Sequence, residues 1–174
     1  ADGGPGIDRI MGLLATSASA QHDRRTFFLA QLLFWMLRAP DGHAKNFSLF
    51  ILPTGAYALT PLYDVMSAWP IIGEGPNRLS AHKVKMAMAV RTTNAHWKMK
   101  EILPRHWVEI GKRYGVLHEG GQTVKSVIQT IVEQTPQVVA SIESSLPKGF
   151  PESVSGPILH GLQQASEQLA RTSD

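Results

Sequence analysis

The chain has 174 residues, of which 43% are hydrophobic and 18% are charged, a composition typical of one globular domain and not of a disordered segment. It contains no cysteine, which excludes disulfides and thiolate metal sites and fits a reducing compartment. No secretory signal is visible, and the strongest apolar run, residues 27–37, is shorter than the roughly 20 residues that span a bilayer. We therefore predict a cytoplasmic protein with no membrane partner.

The net charge of +3 is unevenly distributed along the chain. Residues 78–113 hold nine basic residues and only two acidic ones, Glu101 and Glu109. A basic middle third of this kind indicates either an anionic partner or an ordinary solvated face.

The N-terminal part of the chain predicts two helices. Apolar residues recur at helical spacing over residues 7–15, and a small polar loop follows at residues 17–21. Asp23 is of a residue type that caps helices, and it precedes a second helix predicted over residues 24–38, which Pro40 ends. This second helix is apolar on nearly every face, so we expect it in the middle of the domain.

A polar loop and three strand segments come next. Residues 41–46 form the loop, directly after the apolar helix. Strands at residues 47–52 and 57–59 flank Pro53-Thr54-Gly55, which predicts a β-hairpin. Residues 83–91 alternate between large apolar side chains and basic or small ones, and this pattern predicts a strand with one solvent-exposed face.

The C-terminal half predicts further helices. One covers residues 95–114 and is interrupted by Pro104, a second covers residues 122–146 with a break near Pro136, and the last covers residues 157–170. The predicted fold class is therefore mainly α with a small β-hairpin or sheet. Because that sheet adjoins the most polar loop in the chain, we expect the chemistry there.

Three residues around the hairpin have the spacing of a phosphoryl-transfer site. Asp41 and Asn46 are five positions apart, and Asp64 follows the hairpin. Phosphoryl transfer to a hydroxyl needs a carboxylate base, oxygen ligands for magnesium and a cation near the phosphates. The protein-kinase pattern supplies these groups in the same order. It predicts Asp41 as the base, Asn46 and Asp64 as magnesium ligands, and Lys45 as a candidate phosphate contact.

Other interpretations of the same residues stay open. Asp41 and Gly42 are also common turn formers. His43 either holds the loop through a hydrogen bond or joins Asp41 and Asp64 in the metal site of a phosphohydrolase, although these three lack a typical metal-site spacing. The sequence has neither a phosphate-covering glycine-rich loop nor a convincing strand lysine for the nucleotide, so we expect an incomplete enzyme.

Seven short motifs lie along the chain: Asp2-Gly3-Gly4-Pro5-Gly6-Ile7, Asp41-Gly42-His43-Ala44-Lys45-Asn46-Phe47-Ser48, Leu59-Thr60-Pro61-Leu62-Tyr63-Asp64-Val65, Ser67-Ala68, Pro104-Arg105-His106, Ser145-Leu146-Pro147 and Phe150-Pro151-Glu152. Together they resemble the C-terminal region of the HipA family of bacterial serine/threonine kinase toxins. The resemblance covers essentially the whole chain.

The resemblance implies a two-lobed kinase-like fold in which residues 1–174 form the C-terminal, helical lobe. It implies that Asp41 is the catalytic base and that Asn46 and Asp64 bind Mg²⁺. ATP would contact Asp41, His43, Lys45 and Asp64. The ATP-covering loop, the nucleotide lysine and a regulatory serine of the family would lie upstream, in an N-terminal lobe that is absent from this chain.

The resemblance also implies partners. Family toxins phosphorylate a protein, glutamyl-tRNA synthetase in the best-known member, and growth stops. The antitoxin HipB binds operator DNA, and the toxin joins it in repressing their operon, which makes Lys98, Lys100, Lys112 and Arg113 candidate DNA contacts. A non-catalytic basic module that binds antitoxin and operator DNA is the alternative function. One departure is Pro40, because relatives tend to carry a polar residue next to the catalytic aspartate.

Overall fold

The computed structural model of the protein describes residues 4–117, 120–121 and 123–171. Asp2 and Gly3 of the first motif, and the predicted helix start at Gln122, lie outside the described residues. Within the described ranges the chain forms five α-helices and two antiparallel two-stranded sheets, which confirms the predicted fold class. The elements in chain order are α1 (Ile7–Leu14), α2 (Ala20–Met36), β1 (Leu49–Ile51), β2 (Tyr57–Leu59), β3 (Lys85–Arg91), β4 (Ala95–Lys98), α3 (Pro104–Arg113), α4 (Val124–Ser145) and α5 (Glu152–Ala170).

Helix α2 is the centre of the hydrophobic core, as its sequence predicts. Its large apolar side chains, Phe27, Phe28, Leu32, Phe34 and Trp35 among them, are almost completely buried. Trp107 of α3 packs edge-on against Phe28 and Trp35. The indole N–H of Trp35 donates to the carbonyl of Met99 at 2.9 Å, so this buried donor is satisfied.

The start of α2 differs from the prediction. The helix begins at Ala20 with Ser19 at the N-cap, so part of the predicted loop at residues 17–21 is helical. Asp23 is not the cap. It lies inside the helix, is only 2% exposed, and accepts a hydrogen bond from the backbone N–H of Leu59 at 3.0 Å. The carboxylate therefore joins α2 to β2 instead of satisfying the end of its own helix.

The end of α2 also lies earlier than predicted, at Met36. Arg38 adopts a left-handed conformation, with φ 53°. Its N–H donates to the carbonyl of Trp35 at 3.2 Å, and the N–H of Ala39 donates to the carbonyl of Phe34 at 2.8 Å. This pair of bonds is a Schellman motif, which usually has glycine at the left-handed position. Because arginine and not glycine occupies position 38, the sequence alone predicts a helix that continues to this residue.

Both predicted strand regions form hairpins. β1 and β2 pair with Leu49 opposite Leu59, which confirms the hairpin around residues 53–55. β3 pairs with β4, with Lys85 opposite Lys98 and Arg91 opposite Ala95. The alternation in residues 83–91 is confirmed, because Met86, Met88 and Val90 are buried in the core.

The predicted helix over residues 95–114 is wrong in its first part. Residues 95–98 form β4, a 3-10 turn follows at Met99–Glu101, and only then does α3 begin, with Pro104 at its first position. Pairing with β3 decides the conformation of residues 95–98, since strand preference depends on neighbouring strands more than on local sequence. Proline is well tolerated at the first helical position, where its missing N–H has no intrahelical partner to lose.

The two prolines expected to limit the C-terminal helices lie inside them. α4 remains helical through Pro136, so the predicted break is wrong. Proline leaves the carbonyl four residues earlier without its usual donor, and here that carbonyl, of Val132, accepts from Ser166 Oγ of α5 at 3.4 Å. α5 begins at Glu152, five residues before the predicted start, and includes Pro157 in its second turn. None of the described helices is both long and apolar enough to cross a membrane.

His106 stabilises the N-terminus of α3 through a hydrogen bond that requires its neutral ring. Its Nδ1 accepts from the backbone N–H of Leu103 at 3.2 Å, and its ring stacks on His96 at 4.0 Å between ring centroids. Burial, and then the charges of His96 and Arg105, lower the pKa of His106 below its ordinary value. The neutral ring is therefore the form that fits the folded protein.

Replacement of Asp23 tests the link between α2 and β2. We expect Asp23→Ala to lower the free energy of unfolding by about 1–3 kcal/mol, because the partly buried Leu59 N–H loses its acceptor. Asp23→Asn keeps a side-chain oxygen and should lose less than half as much. Urea unfolding of the variants measures both. Equal losses in the two variants would contradict the hydrogen-bond account.

The lowered pKa of His106 predicts that the stability of the protein depends on pH. In the unfolded chain His106 binds a proton near pH 6.5, whereas in the folded chain it does so only at lower pH. The free energy of unfolding should therefore fall as pH falls below about 6.5. His106→Gln keeps an acceptor for the Leu103 N–H and does not titrate. Urea midpoints at neutral and mildly acidic pH should therefore differ less in His106→Gln than in the wild type, and equal differences would contradict this role.

Candidate active site

The polar loop begins directly under the end of α2. Gly42 is buried, and a Cβ added at this position would overlap the ring of Phe34. The rings of Phe34 and Phe47 are also in contact, with 6.0 Å between centroids. A glycine is therefore needed at position 42 because the backbone passes so close to the Phe34 ring, and not because of its φ angle. The backbone that carries Asp41 and His43 is therefore held close to α2.

Asp41 and His43 form a pair at the mouth of the loop. His43 Nε2 lies 3.3 Å from Asp41 Oδ1, and the side chain of Asp41 is 50% exposed. His43 is less exposed, at 27%, and its Nδ1 is buried without a hydrogen-bond partner among the described residues. The imidazole thus lies against one oxygen of the carboxylate and leaves about half of the Asp41 side chain open to a reactant.

Asn46 and Asp64 are in direct contact although they are far apart in sequence. Asn46 Nδ2 donates to Asp64 Oδ2 at 2.9 Å. Asn46 is only 3% exposed and closes the 3-10 turn Ala44–Asn46, whereas Asp64 is exposed. The bond leaves the amide oxygen of Asn46 and the second carboxylate oxygen of Asp64 available as hard oxygen ligands. Asp64 adopts a left-handed conformation with φ 54°, which aspartate tolerates better than most residues.

Tyr63 fixes the approach of the chain to Asp64. Its hydroxyl donates to the backbone carbonyl of Lys45 at 2.9 Å and lies 2.8 Å from Ser48 Oγ. The segment that carries Asp64 is therefore joined to the segment that carries Asn46 at several points. The side chain of Lys45 is exposed, and only its backbone takes part in these contacts.

The segment after Asp64 returns to the end of α2. Ser67 Oγ donates to the carbonyl of Leu37 at 2.7 Å, and Trp69 Nε1 donates to the carbonyl of Met36 at 2.8 Å. These two side chains satisfy terminal carbonyls that the helix itself leaves without donors. Sequence reasoning did not give Ser67 or Trp69 a role, because no local pattern shows which side chain will cap a helix that lies far away in the sequence.

Arg38 completes this junction. Its guanidinium lies 5.5 Å from the ring centroid of Trp35 and 5.2 Å from that of Trp69, within cation–π range. Burial lowers the pKa of Arg38. Trp69 is held from its other side by α5, where Gly161 leaves no room for a Cβ against the indole. The energetic cost of the left-handed conformation at Arg38 is thus offset by contacts with the tryptophan rings that a glycine could not make.

The four residues predicted to contact DNA do not form one patch. Lys98 pairs with Glu101 at 2.8 Å, and Lys100 Nζ lies 3.1 Å from His82 Nδ1. Both belong to the end of the β3–β4 hairpin where Lys85 lies.

Arg113 lies at the opposite end of the hairpin. It pairs with Glu109 at 2.9 Å and donates to the carbonyl of Arg91 at 2.8 Å, while Lys112 is exposed beside it at the end of α3. The fold therefore divides the basic middle third into two separate surfaces.

The metal site expected for a phosphohydrolase does not form. The described part of the chain has no cluster of three or more His, Asp and Glu side chains able to hold a metal ion. Asp41, His43 and Asp64 therefore do not converge as that alternative requires. The Asn46–Asp64 pair is a different arrangement, with one amide and one carboxylate.

The fold and this loop together define a helical lobe of the kinase-like type, in which a polar loop follows a buried helix and a hairpin leads to a second aspartate. The family model described as the HipA-like C-terminal domain matches residues 2–139, and the chain belongs to that family. A chain of the solved Shewanella oneidensis MR-1 toxin–antitoxin complex of HipA, HipB and operator DNA has the same fold, with a TM-score of 0.71 and 20% sequence identity. The match covers 97% of this chain and 36% of that one, so this chain spans about a third of its length.

A cycle of substitutions tests the packing of Gly42 against Phe34. Gly42→Ala should lower the free energy of unfolding by about 1–3 kcal/mol through overpacking. Combined with Phe34→Leu, which creates space, the same substitution should cost less, with a coupling of about 0.5–3 kcal/mol. Gly12→Ala is the control, since a Cβ there has open space around it. Additive losses for Gly42→Ala and Phe34→Leu would show that the predicted overlap is relieved in some other way.

Proposed function

We propose that this chain is the catalytic lobe of a HipA-type serine/threonine protein kinase toxin, which transfers the γ-phosphate of ATP to a protein hydroxyl. The observation that carries the proposal is the pairing of side chains in the loop. An exposed carboxylate, Asp41, is restrained by His43, and one turn away the buried Asn46 is bonded to Asp64. This is the division into base and metal ligands that phosphoryl transfer needs.

Asp41 is the proposed base. It receives the proton of the acceptor hydroxyl and orients its oxygen toward the phosphorus. His43 acts as a positioning residue, because its contact with Oδ1 fixes which oxygen of Asp41 stays free. Pro40 does not disturb this arrangement, since it lies in an exposed turn and the next backbone bond, from His43 N–H to the Asp41 carbonyl at 2.9 Å, is formed.

Asn46 and Asp64 are the proposed Mg²⁺ ligands. Amide and carboxylate oxygens suit this hard cation, and the exposure of Asp64 leaves room for the waters that Mg²⁺ keeps. When bound, the cation would offset the charge of the ATP phosphates. The hydrogen bond between the two side chains holds their oxygens in fixed positions, and Lys45, the neighbour of Asn46 in sequence, has an exposed side chain that could reach a phosphate.

Residues 1–174 are proposed to be the C-terminal lobe of a two-lobed enzyme. The described loop offers ATP phosphate contacts through Asp41, His43, Lys45 and Asp64, but a covering loop and a nucleotide lysine would have to come from another lobe. The share of the similar chain that this one spans, 36%, supports that division. The chain alone should therefore bind Mg-ATP weakly.

The partners proposed for the whole protein are a HipB-like antitoxin and, through their complex, operator DNA. The similar chain comes from a complex of that composition. The substrate would be a cytoplasmic protein, with glutamyl-tRNA synthetase suggested by the family resemblance, and its phosphorylation would arrest growth. Of the two pairs of candidate DNA contacts, Lys112 and Arg113 at the end of α3 are the pair that lies away from Lys85 and the catalytic loop.

Mass spectrometry of the full-length gene product tests this function. After incubation with Mg-ATP and a protein acceptor, the wild type should transfer phosphate, and Asp41→Asn should reduce the rate about 10²–10⁴-fold because a general base is lost. Glu167→Gln, an equivalent change at an exposed position of α5, should leave the rate unchanged. No transfer by a folded, ATP-bound wild type would instead favour the non-catalytic binding module.

A further inference from the structure

A groove runs along β3 from the catalytic loop to the start of α1. It consists of two adjoining cavities, of about 430 and about 550 Å³, within the range of ligand-binding clefts. Both cavities are lined by His43, Ala87 and Trp97. Asp41 lines only the larger one, and the Gly4–Gly6 turn lines only the smaller. One end of the groove is therefore at the proposed base.

The floor of the groove follows from the alternation of β3. Met86, Met88 and Val90 are buried in the core, although Met86 and Met88 also border the cavities. The alternation places Lys85, Ala87, Ala89 and Arg91 on the other face, with an irregularity in the pairing to β4 between Lys85 and Val90. Small side chains occupy the middle of this face and basic side chains its ends. At about 3.4 Å per residue, the two ends are roughly 20 Å apart, which is the length of about six extended residues.

The charge of the groove is positive at both ends. Lys83 and Lys85 line the cavity that contains Asp41, and Arg9 and Arg91 line the other. Among the described residues the side chains of Lys83, Lys85 and Arg9 have no hydrogen-bond or ion-pair partner, and Arg91 lies 4.0 Å from Asp8. Trp97, 43% exposed, forms an aromatic wall between these two ends.

We propose that this β3 groove binds the acceptor segment of the protein substrate in an extended conformation. The acceptor serine or threonine lies at Asp41 with an acidic side chain beside it at Lys83 and Lys85. Small or apolar residues cross Ala87 against Trp97, and a second acidic side chain about five residues away reaches Arg9 and Arg91. The preferred substrate is thus an unfolded segment with acidic residues at two separated positions. This inference rests on the proposed kinase function.

The spacing of charges favours a polypeptide over a nucleic acid. A single strand carries a phosphate on every nucleotide, and proteins that bind one follow its backbone with a continuous basic groove. Here the stretch that both cavities share is lined by His43, Ala87 and Trp97 and by no lysine or arginine, and Ala89 follows Ala87 on the same face of β3. Phosphates placed over these alanines would lose water without gaining a partner, whereas an extended peptide can place uncharged residues there.

Steady-state kinetics of the full-length gene product test the groove. The probes are two short serine peptides, one with glutamates beside the serine and about five residues away, and one with lysines at the same positions. The wild type should have a lower KM for the glutamate peptide. The double variant Lys83→Glu, Lys85→Glu should raise that KM about tenfold or more and reverse the preference between the two peptides. Lys125→Glu, at an exposed position of α4 outside the groove, should change neither.

Groove filling provides a second, charge-independent test. Ala87→Phe should raise KM for both peptides by a similar factor, because the phenylalanine ring would occupy the centre of the floor. The proposal would be overturned if the wild type had equal KM values for both peptides, or if Ala87→Phe left these KM values unchanged. Stronger competition by single-stranded DNA than by the glutamate peptide would assign the groove to nucleic acid and overturn it as well.

Failure of the kinase function can be told apart from failure of the groove. Binding of the glutamate peptide to the same protein is measured directly through tryptophan fluorescence, with Trp97→Phe to identify the reporting residue. Binding that depends on Lys83 and Lys85, without transfer of phosphate to any peptide, would support the groove and reject the kinase. Phosphate transfer without such binding would reject the groove alone.

Discussion

The C-terminus of α2 is the junction on which the candidate site depends. Four backbone carbonyls at this end, from Phe34 to Leu37, accept from Ala39, Arg38, Trp69 and Ser67 respectively. The donors come from both chain segments that carry the site, one before Asp41 and one after Asp64. Terminal carbonyls without donors would be costly in a buried helix end, so the same bonds that complete α2 also bring the two segments together.

The site combines a rigid interior with an exposed rim. Gly42 packs against Phe34, and Asn46 is almost fully buried, while Asp41 and Asp64 are exposed. Each exposed carboxylate is restrained by a less exposed partner, His43 or Asn46. A site built in this way holds its reactive groups in place before a ligand arrives, which lowers the ordering required during reaction. The Schellman motif at Arg38 serves the same end, because it directs the chain from the core helix into the loop.

The sequence predicted those features whose causes are local. The all-round apolar character of α2, the alternation in β3 and the Asp41, Asn46 and Asp64 spacing were all readable from consecutive residues. The errors arose where a distant segment decides the outcome: Asp23 accepts from Leu59 on β2, residues 95–98 pair with β3, and Ser166 satisfies the carbonyl that Pro136 leaves free. The partners of the site residues, Ser67 and Trp69 among them, belong to this second group.

The basic middle third forms two separate surfaces, and their separation determines whether one domain can bind two anionic partners at once. Counted along the chain, residues 78–113 form a single positive block, yet the fold places Lys83 and Lys85 beside Asp41 and places Lys112 and Arg113 at the other end of the hairpin. The two ends are separated by the length of β3, about 20 Å, which exceeds the Debye length of about 8 Å at physiological salt. Charges so far apart interact weakly across solvent. An anion at the end of α3 therefore does not compete with the acidic side chain held at Lys83 and Lys85. It lies close to the acidic side chain held at Arg9 and Arg91, because Arg113 donates to the Arg91 carbonyl at 2.8 Å, so a segment that carries both acidic side chains and an anion at the end of α3 should weaken each other's binding.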